Sequence, residues 1–306
     1  MFSLAIGGLA TLVFSSDPPP ARALRLPPAH VLQATGSEPM AATERITIFV
    51  NFDGAKLDGG DEDARSNSTM IGFEGTFEGY GEGAKRDAVL QAVREDWLAY
   101  DATVTDRRPE SGDYTMVMVG PTNFTEGSLG VALLDCGNKW TSNNVVFAFH
   151  HIADGYTAAA TATTIDQEVA HAFGLEHVDA PADIMHPYNV GGDPTFRDEC
   201  RAVVPAPGIG ILCTAQHEDA CGTGQRQNAH AELLSLVGAR PVDPMPPTVE
   251  FTAPTDGARF EPQQSFVIGV EATDNDRVVV VELLQDETVV ASDDAPPYGW
   301  EVGGAP

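Results

Sequence analysis

The residues best placed to do chemistry lie in one stretch, Gln167-Glu168-Val169-Ala170-His171-Ala172-Phe173-Gly174-Leu175-Glu176-His177. On a helix, positions 167 and 171 are one turn apart on the same face, so two ligands there converge on one cation. Gly174 accepts the positive φ with which a chain leaves a helix, and His177 then swings in as a third ligand. Glu168, beside the first position, reaches a metal-held water without being a ligand itself. Such residue types in this order point to hydrolysis by activated water. Pro181, Ile184-Met185, Pro187 and Tyr188 follow downstream.

This stretch resembles the signature of the metzincin clan of zinc metallopeptidases, H-E-x-x-H-x-x-G-x-x-H with a downstream Met-turn. Glu168, His171, Gly174, His177, Pro181, Met185 and Pro187 are in register with it, and the spacing of the Pro and Ile-Met residues is similar to the matrixin branch. The resemblance implies a secreted, zinc-dependent endopeptidase acting on a peptide or protein substrate. It implies one catalytic Zn2+ on Gln167, His171 and His177, Glu168 as general base to a metal-activated water, and Met185 packed beneath the metal. One position departs from the pattern: Gln167 stands where the family has His. Its amide oxygen has a similar reach but is a poorer zinc donor than imidazole. Three readings stay open. Gln167 ligates weakly; a histidine from among His150, His151, His186 and His217 supplies the third nitrogen; or the site holds no metal, and the chain is a pseudoenzyme serving as a secreted binding or adhesion protein.

These residues need a helix and a sheet to position them. Residues 157 to 173 lack Gly and Pro, which favours a helix ending near Gly174. Ile46 to Phe52 alternates as a strand, Ala84 to Tyr100 carries apolar residues at helical intervals, and Tyr114 to Val119 and Asn144 to Phe149 read as further strands. Asn228 caps a last helix running to about Val237. This order gives a mixed sheet packed on helices, of α+β or α/β class. Residues 53 to 83, rich in Gly and in acids such as Asp58, Asp61, Glu62 and Asp63, read as loop. Ca2+ is conceivable there, but the spaced acidic pattern of a calcium loop is missing.

The 306 residues suit about two domains. Lys and Arg total 17 against 45 Asp and Glu, a net charge of −28, which argues against a nucleic-acid partner. Phe2 to Phe14 is apolar but shorter than the ~20 residues that span a bilayer. With Ala21-Arg22-Ala23 behind it, the segment reads as a signal peptide over residues 1–23 that lacks the usual positive start. Residues 24–43 read as a flexible pro-segment or linker, with no Cys to serve as a thiolate switch. The metallopeptidase-like domain is expected over 44–238 and a Pro-rich linker over 239–247. The four cysteines, Cys136, Cys200, Cys213 and Cys221, imply two disulfides in an exported chain. Three pairings are possible, and Cys200–Cys213 with Cys136–Cys221 is the expected one. Residues 248–306 form short β-rich segments resembling bacterial Ig-like modules, here too short for a complete sandwich. Such a module suits a cell-surface or matrix partner.

Overall fold

The computed structural model describes residues 30–33 and 45–303, apart from 126, 206–209, 242–245, 262–263, 275–277, 279, 286–287 and 294–295. The expected signal peptide lies outside the described residues. The chain divides into two compact units, with the boundary between Arg240 and Pro241.

The first unit runs β1 (His30–Gln33), β2 (Ile46–Asn51), β3 (Ala55–Gly59), a 3-10 turn (Ala64–Ser66), β4 (Ser68–Thr69) and β5 (Gly75–Phe77). It continues through α1 (Ala84–Asp96), β6 (Ala102–Thr105), β7 (Thr115–Val119), β8 (Gly130–Leu134), β9 (Val145–Ala148) and α2 (Ala158–His171). β10 (Arg201–Ala202), α3 (Thr214–Cys221), β11 (Arg226–Gln227) and α4 (Ala229–Val237) complete it.

Six strands make the main sheet in the order β1-β8-β9-β7-β2-β6. β6, β2, β7 and β9 are mutually parallel, β8 runs antiparallel to β9, and β1 runs parallel to β8. Strand β1 thus falls inside the segment read as a linker. Alternate side chains build two cores. Ile48, Val50, Val117, Val119 and Val146 face Val89 and Val93 of α1 and Ile165 and Val169 of α2. Phe49, Met116, Met118, Val145 and Phe147 point the other way, onto Leu57, Ile71 and Phe77. Burial on both faces explains why β9 and, after Thr115, β7 are apolar.

The second cover corrects the reading of residues 53 to 83 as loop. β4, β3 and β5 form a small sheet there, and its Leu57 and Phe77 are fully buried. Two of the acids of this region bond within the protein. Glu62 is buried and accepts from the Val145 and Met70 amides and the Thr69 hydroxyl, while Asp63 caps the 3-10 turn and pairs with Arg65.

Helix α1 stops four residues earlier than its pattern suggested: Trp97, at its end, leaves helical geometry with φ −94° and ψ 5° and donates from its indole nitrogen to Asp166 Oδ1 at 2.9 Å. Thr157 caps α2, accepting from the Ala160 amide at 3.1 Å, and Asn228 caps α4 in the same way through Ala231 at 2.9 Å. The disulfides are Cys136–Cys213 and Cys200–Cys221, which overturns the expected pairing. Helix α3 is the reason: it places Cys213 and Cys221 at opposite ends of one rod, roughly 12 Å apart by helical rise. Cys136, just past β8, meets the near end and Cys200 the far end.

The second unit comprises β12 (Thr248–Ala253), β13 (Phe266–Thr273), β14 (Val281–Gln285), β15 (Thr288–Asp293) and β16 (Tyr298–Val302). β12-β13-β16 is an antiparallel sheet and β14-β15 a hairpin, with Val270, Val281 and Tyr298 as the buried centre. Among the described residues, no helix is long and apolar enough to cross a membrane.

Candidate active site

Helix α2 carries Gln167, Glu168 and His171 into the interior, at 6%, 0% and 0% exposure. It ends at His171, and Gly174 adopts φ +82°, which turns the chain so that His177 comes back over the helix end. A side chain at 174 would collide with Gln216 and with the backbone at Cys136 and Gly137, so glycine is required by space as well as by conformation.

His171 and His177 meet through their Nε2 atoms at 3.2 Å. His171 Nδ1 lies 2.6 Å from the Leu175 carbonyl oxygen and donates to it, which fixes the tautomer and leaves Nε2 as a lone-pair donor. Burial pushes its pKa down to about 4, with the Leu175 bond and Glu176 opposing, so the ring is neutral near pH 7. In the metal-free chain the His171–His177 contact is therefore a hydrogen bond given by His177.

Gln167 is anchored by its amide nitrogen, which donates to the carbonyls of Ile184 and His186 at 2.7 and 2.8 Å. The turn it grips contains Met185, fully buried, whose own carbonyl accepts from Val178. With Nε2 committed, Oε1 accepts no hydrogen bond among the described residues.

Among the described residues, both carboxylate oxygens of Glu168 are buried without a hydrogen-bond partner, and burial raises the pKa well above the ordinary carboxylate value. Its side chain packs on Gly130 at the start of β8, where any Cβ would clash with it.

The other candidate histidines have partners elsewhere. His150 sits between Asp154 at 3.2 Å and Thr164 at 3.1 Å, and His151 Nδ1 accepts from the Ala153 amide. His186 Nδ1 lies 2.8 Å from the Tyr188 carbonyl, in a half-exposed turn. His217 is buried between Glu176 and Glu232. Among the described residues no three His, Cys, Asp or Glu side chains form a group able to hold a metal. Gln167 lies one turn before His171 on the same helix face, which leaves its amide oxygen as the candidate third donor.

The donor chemistry fits zinc in part. Two ligand nitrogens on a tetrahedral zinc stand about 3.3 Å apart at ordinary bond lengths, close to the 3.2 Å between the Nε2 atoms. A neutral amide oxygen completes such a set more weakly than a third imidazole. A buried carboxyl group without a hydrogen-bond partner calls for a compensating group such as a cation or water.

Gly130 and the Glu176–His217–Glu232 cluster escaped the sequence reading. A glycine opening the apolar run Val131 to Leu134 was the available signal for the first; no local pattern marked the second. A family model described as a bacterial Ig domain matches residues 247–304. No curated protein matches the chain.

Proposed function

We propose that the first unit is a metzincin-like zinc metallopeptidase, exported and joined to a bacterial Ig domain, that hydrolyses peptide bonds. One observation carries the reading. Two imidazole Nε2 atoms converge at 3.2 Å, and the helix that supplies one of them also carries a buried carboxyl group with no hydrogen-bond partner among the described residues. His171 and His177 would hold zinc, with Gln167 Oε1 as a weak third donor. Zinc in such a site supplies Lewis acidity, acidifying water and polarising a carbonyl. Glu168 supplies the proton transfers: its carboxylate takes a proton from water and returns it to the leaving amine. An adjacent positive charge favours the carboxylate form that burial alone suppresses. The two disulfides and the Ig domain support an extracellular or surface location.

A second reading draws on Gln167. Its amide nitrogen is satisfied by two backbone carbonyls, as in a structural core amide. On that reading the domain is a binding protein on a metallopeptidase-like scaffold.

The deciding measurement is metal content by mass spectrometry on the full chain, purified without chelator and back-loaded with zinc. The enzyme reading expects close to one zinc per chain, lost in His171→Ala, and peptide cleavage lost in Glu168→Ala. Gln167→His is expected to raise zinc affinity. A folded chain that takes up no zinc would overturn the enzyme reading in favour of the binding protein.

A further inference from the structure

We infer that His217 is a positioning residue for His177, acting through the buried trio Glu176–His217–Glu232; the inference rests on the metal-site reading above.

Nothing in helix α2 dictates where His177 goes. The helix ends at His171, and five residues with a left-handed glycine among them separate the two rings. The placement has to come from contacts, and the residue before His177 has many. The Glu176 amide donates to Gln227 Oε1 at 2.6 Å and its carbonyl accepts from Gln227 Nε2 at 2.7 Å, a two-point clamp on the backbone. Its carboxylate Oε2 accepts from the amides of Leu212 and Cys213 at 3.0 and 2.9 Å and from His217 Nε2 at 3.0 Å. On the far side of His177, its carbonyl accepts from the Val204 amide at 2.8 Å.

His217 ties this clamp to the rest of the unit. It is fully buried, and its other nitrogen, Nδ1, lies 3.0 and 3.2 Å from the two oxygens of Glu232 on α4. A ring with a carboxylate at each nitrogen donates from both, so it is an imidazolium shared by two acids. The preceding residue on α3 grips the other end of the same turn. Gln216 donates to the Phe173 carbonyl at 3.1 Å and to Glu232 at 3.0 Å, and accepts from the Gly137 amide at 2.7 Å. Helix α3 therefore holds Phe173 and Glu176, the residues bracketing the turn from His171 to His177.

An apolar plug would stabilise this interior at least as well, because desolvating three charges offsets most of their attraction. What the trio adds is direction: three groups with fixed bonding vectors admit one placement of Glu176, whereas apolar contacts would tolerate slippage. A histidine that reads as a spare ligand by sequence thus acts from behind the ligand loop.

The test compares the full wild-type chain with His217→Gln and Glu232→Gln, the latter nearly isosteric and able to carry the test alone if the former does not fold. The first readout is the ring-nitrogen NMR spectrum of 15N-histidine-labelled, metal-free protein. The wild type is expected to show His217 protonated on both nitrogens, and folded variants to show displaced His171 and His177 signals. The second is titration with Co2+, followed by its visible absorption. Folded variants are expected to bind more weakly with an altered spectrum, by roughly tenfold, the lower end of the effect of removing a group bonded directly to a metal ligand, because His217 acts through Glu176. Folded variants with unchanged His171 and His177 signals and unchanged Co2+ affinity would overturn the inference. If the wild type binds no Co2+, the metal-site reading fails, and the NMR comparison still decides whether His217 positions His177.

Discussion

Gln167 and Glu168 are neighbours on one helix and meet burial differently. The amide finds two carbonyl acceptors in the turn around Met185, whereas the carboxyl group finds none. A buried carboxylate without partners costs several kcal/mol, and the group answers by staying protonated. Gly130 makes its position possible: a methyl group added there meets the Cγ, Cδ and Oε1 atoms of Glu168. Gly130→Ala is therefore expected to destabilise the chain by about 1–3 kcal/mol, the usual cost of overpacking. Glu168→Ala removes the atoms that clash, so Gly130→Ala should cost much less in that background. Urea unfolding of the two single variants and the double variant measures the coupling. Equal costs of Gly130→Ala in both backgrounds would show that the two residues do not compete for this space.

At the scale of elements, the Glu176–His217–Glu232 cluster joins α3 and α4 to the loop after α2 and makes their docking sensitive to pH. Burial lowers the pKa of His217, but its hydrogen bonds to the Glu176 and Glu232 carboxylates and the charges of both outweigh it, holding the ring at about 9. A histidine in the unfolded chain titrates near the ordinary value of about 6.5. The folded pKa is the higher one, so the contribution is fully present below about 6.5 and lost as pH rises through about 9. Between pH 7 and 10 the unfolding free energy is expected to fall on the order of 3 kcal/mol more in the wild type than in His217→Gln. Parallel slopes in the two proteins would count against the protonated trio. This cluster also marks how far the sequence was legible. The chemistry-bearing stretch, helix α2 and its stop, the cap of α4, and strands β2, β7 and β9 all follow from local period and capping. The trio does not, because its members lie 41 and 15 positions apart and meet only after α3 packs. The short sheet β4-β3-β5 was hidden by its Gly and acidic residues, although Leu57 and Phe77 were the anchors. The disulfide pairing was hidden because it depends on a helix, α3, whose polar composition gives little amphipathic signal.

For the molecule as a whole, the dominant quantity is charge. With 45 acidic against 17 basic residues, the folded chain brings like charges together that the unfolded chain holds further apart, and this self-repulsion opposes folding. Local pairs relieve it in places. Arg86, largely buried, bridges Asp53, Glu82 and Asp106 at 2.6 to 3.0 Å, and Lys85 pairs with Asp154 at 2.8 Å. A solvent-exposed ion pair contributes at most about 1 kcal/mol, and there are too few cations to neutralise the surface. Salt acts on the unpaired remainder. Raising ionic strength from about 0.01 M to about 1 M shortens the screening length from roughly 30 Å to 3 Å, which weakens repulsion between distant acids more than attraction within a 3 Å pair. The melting temperature is therefore expected to rise with sodium chloride, as calorimetry at constant pH would record. A melting temperature that falls with salt would mean that the attractive pairs, and not the excess of acids, govern the electrostatics of the fold.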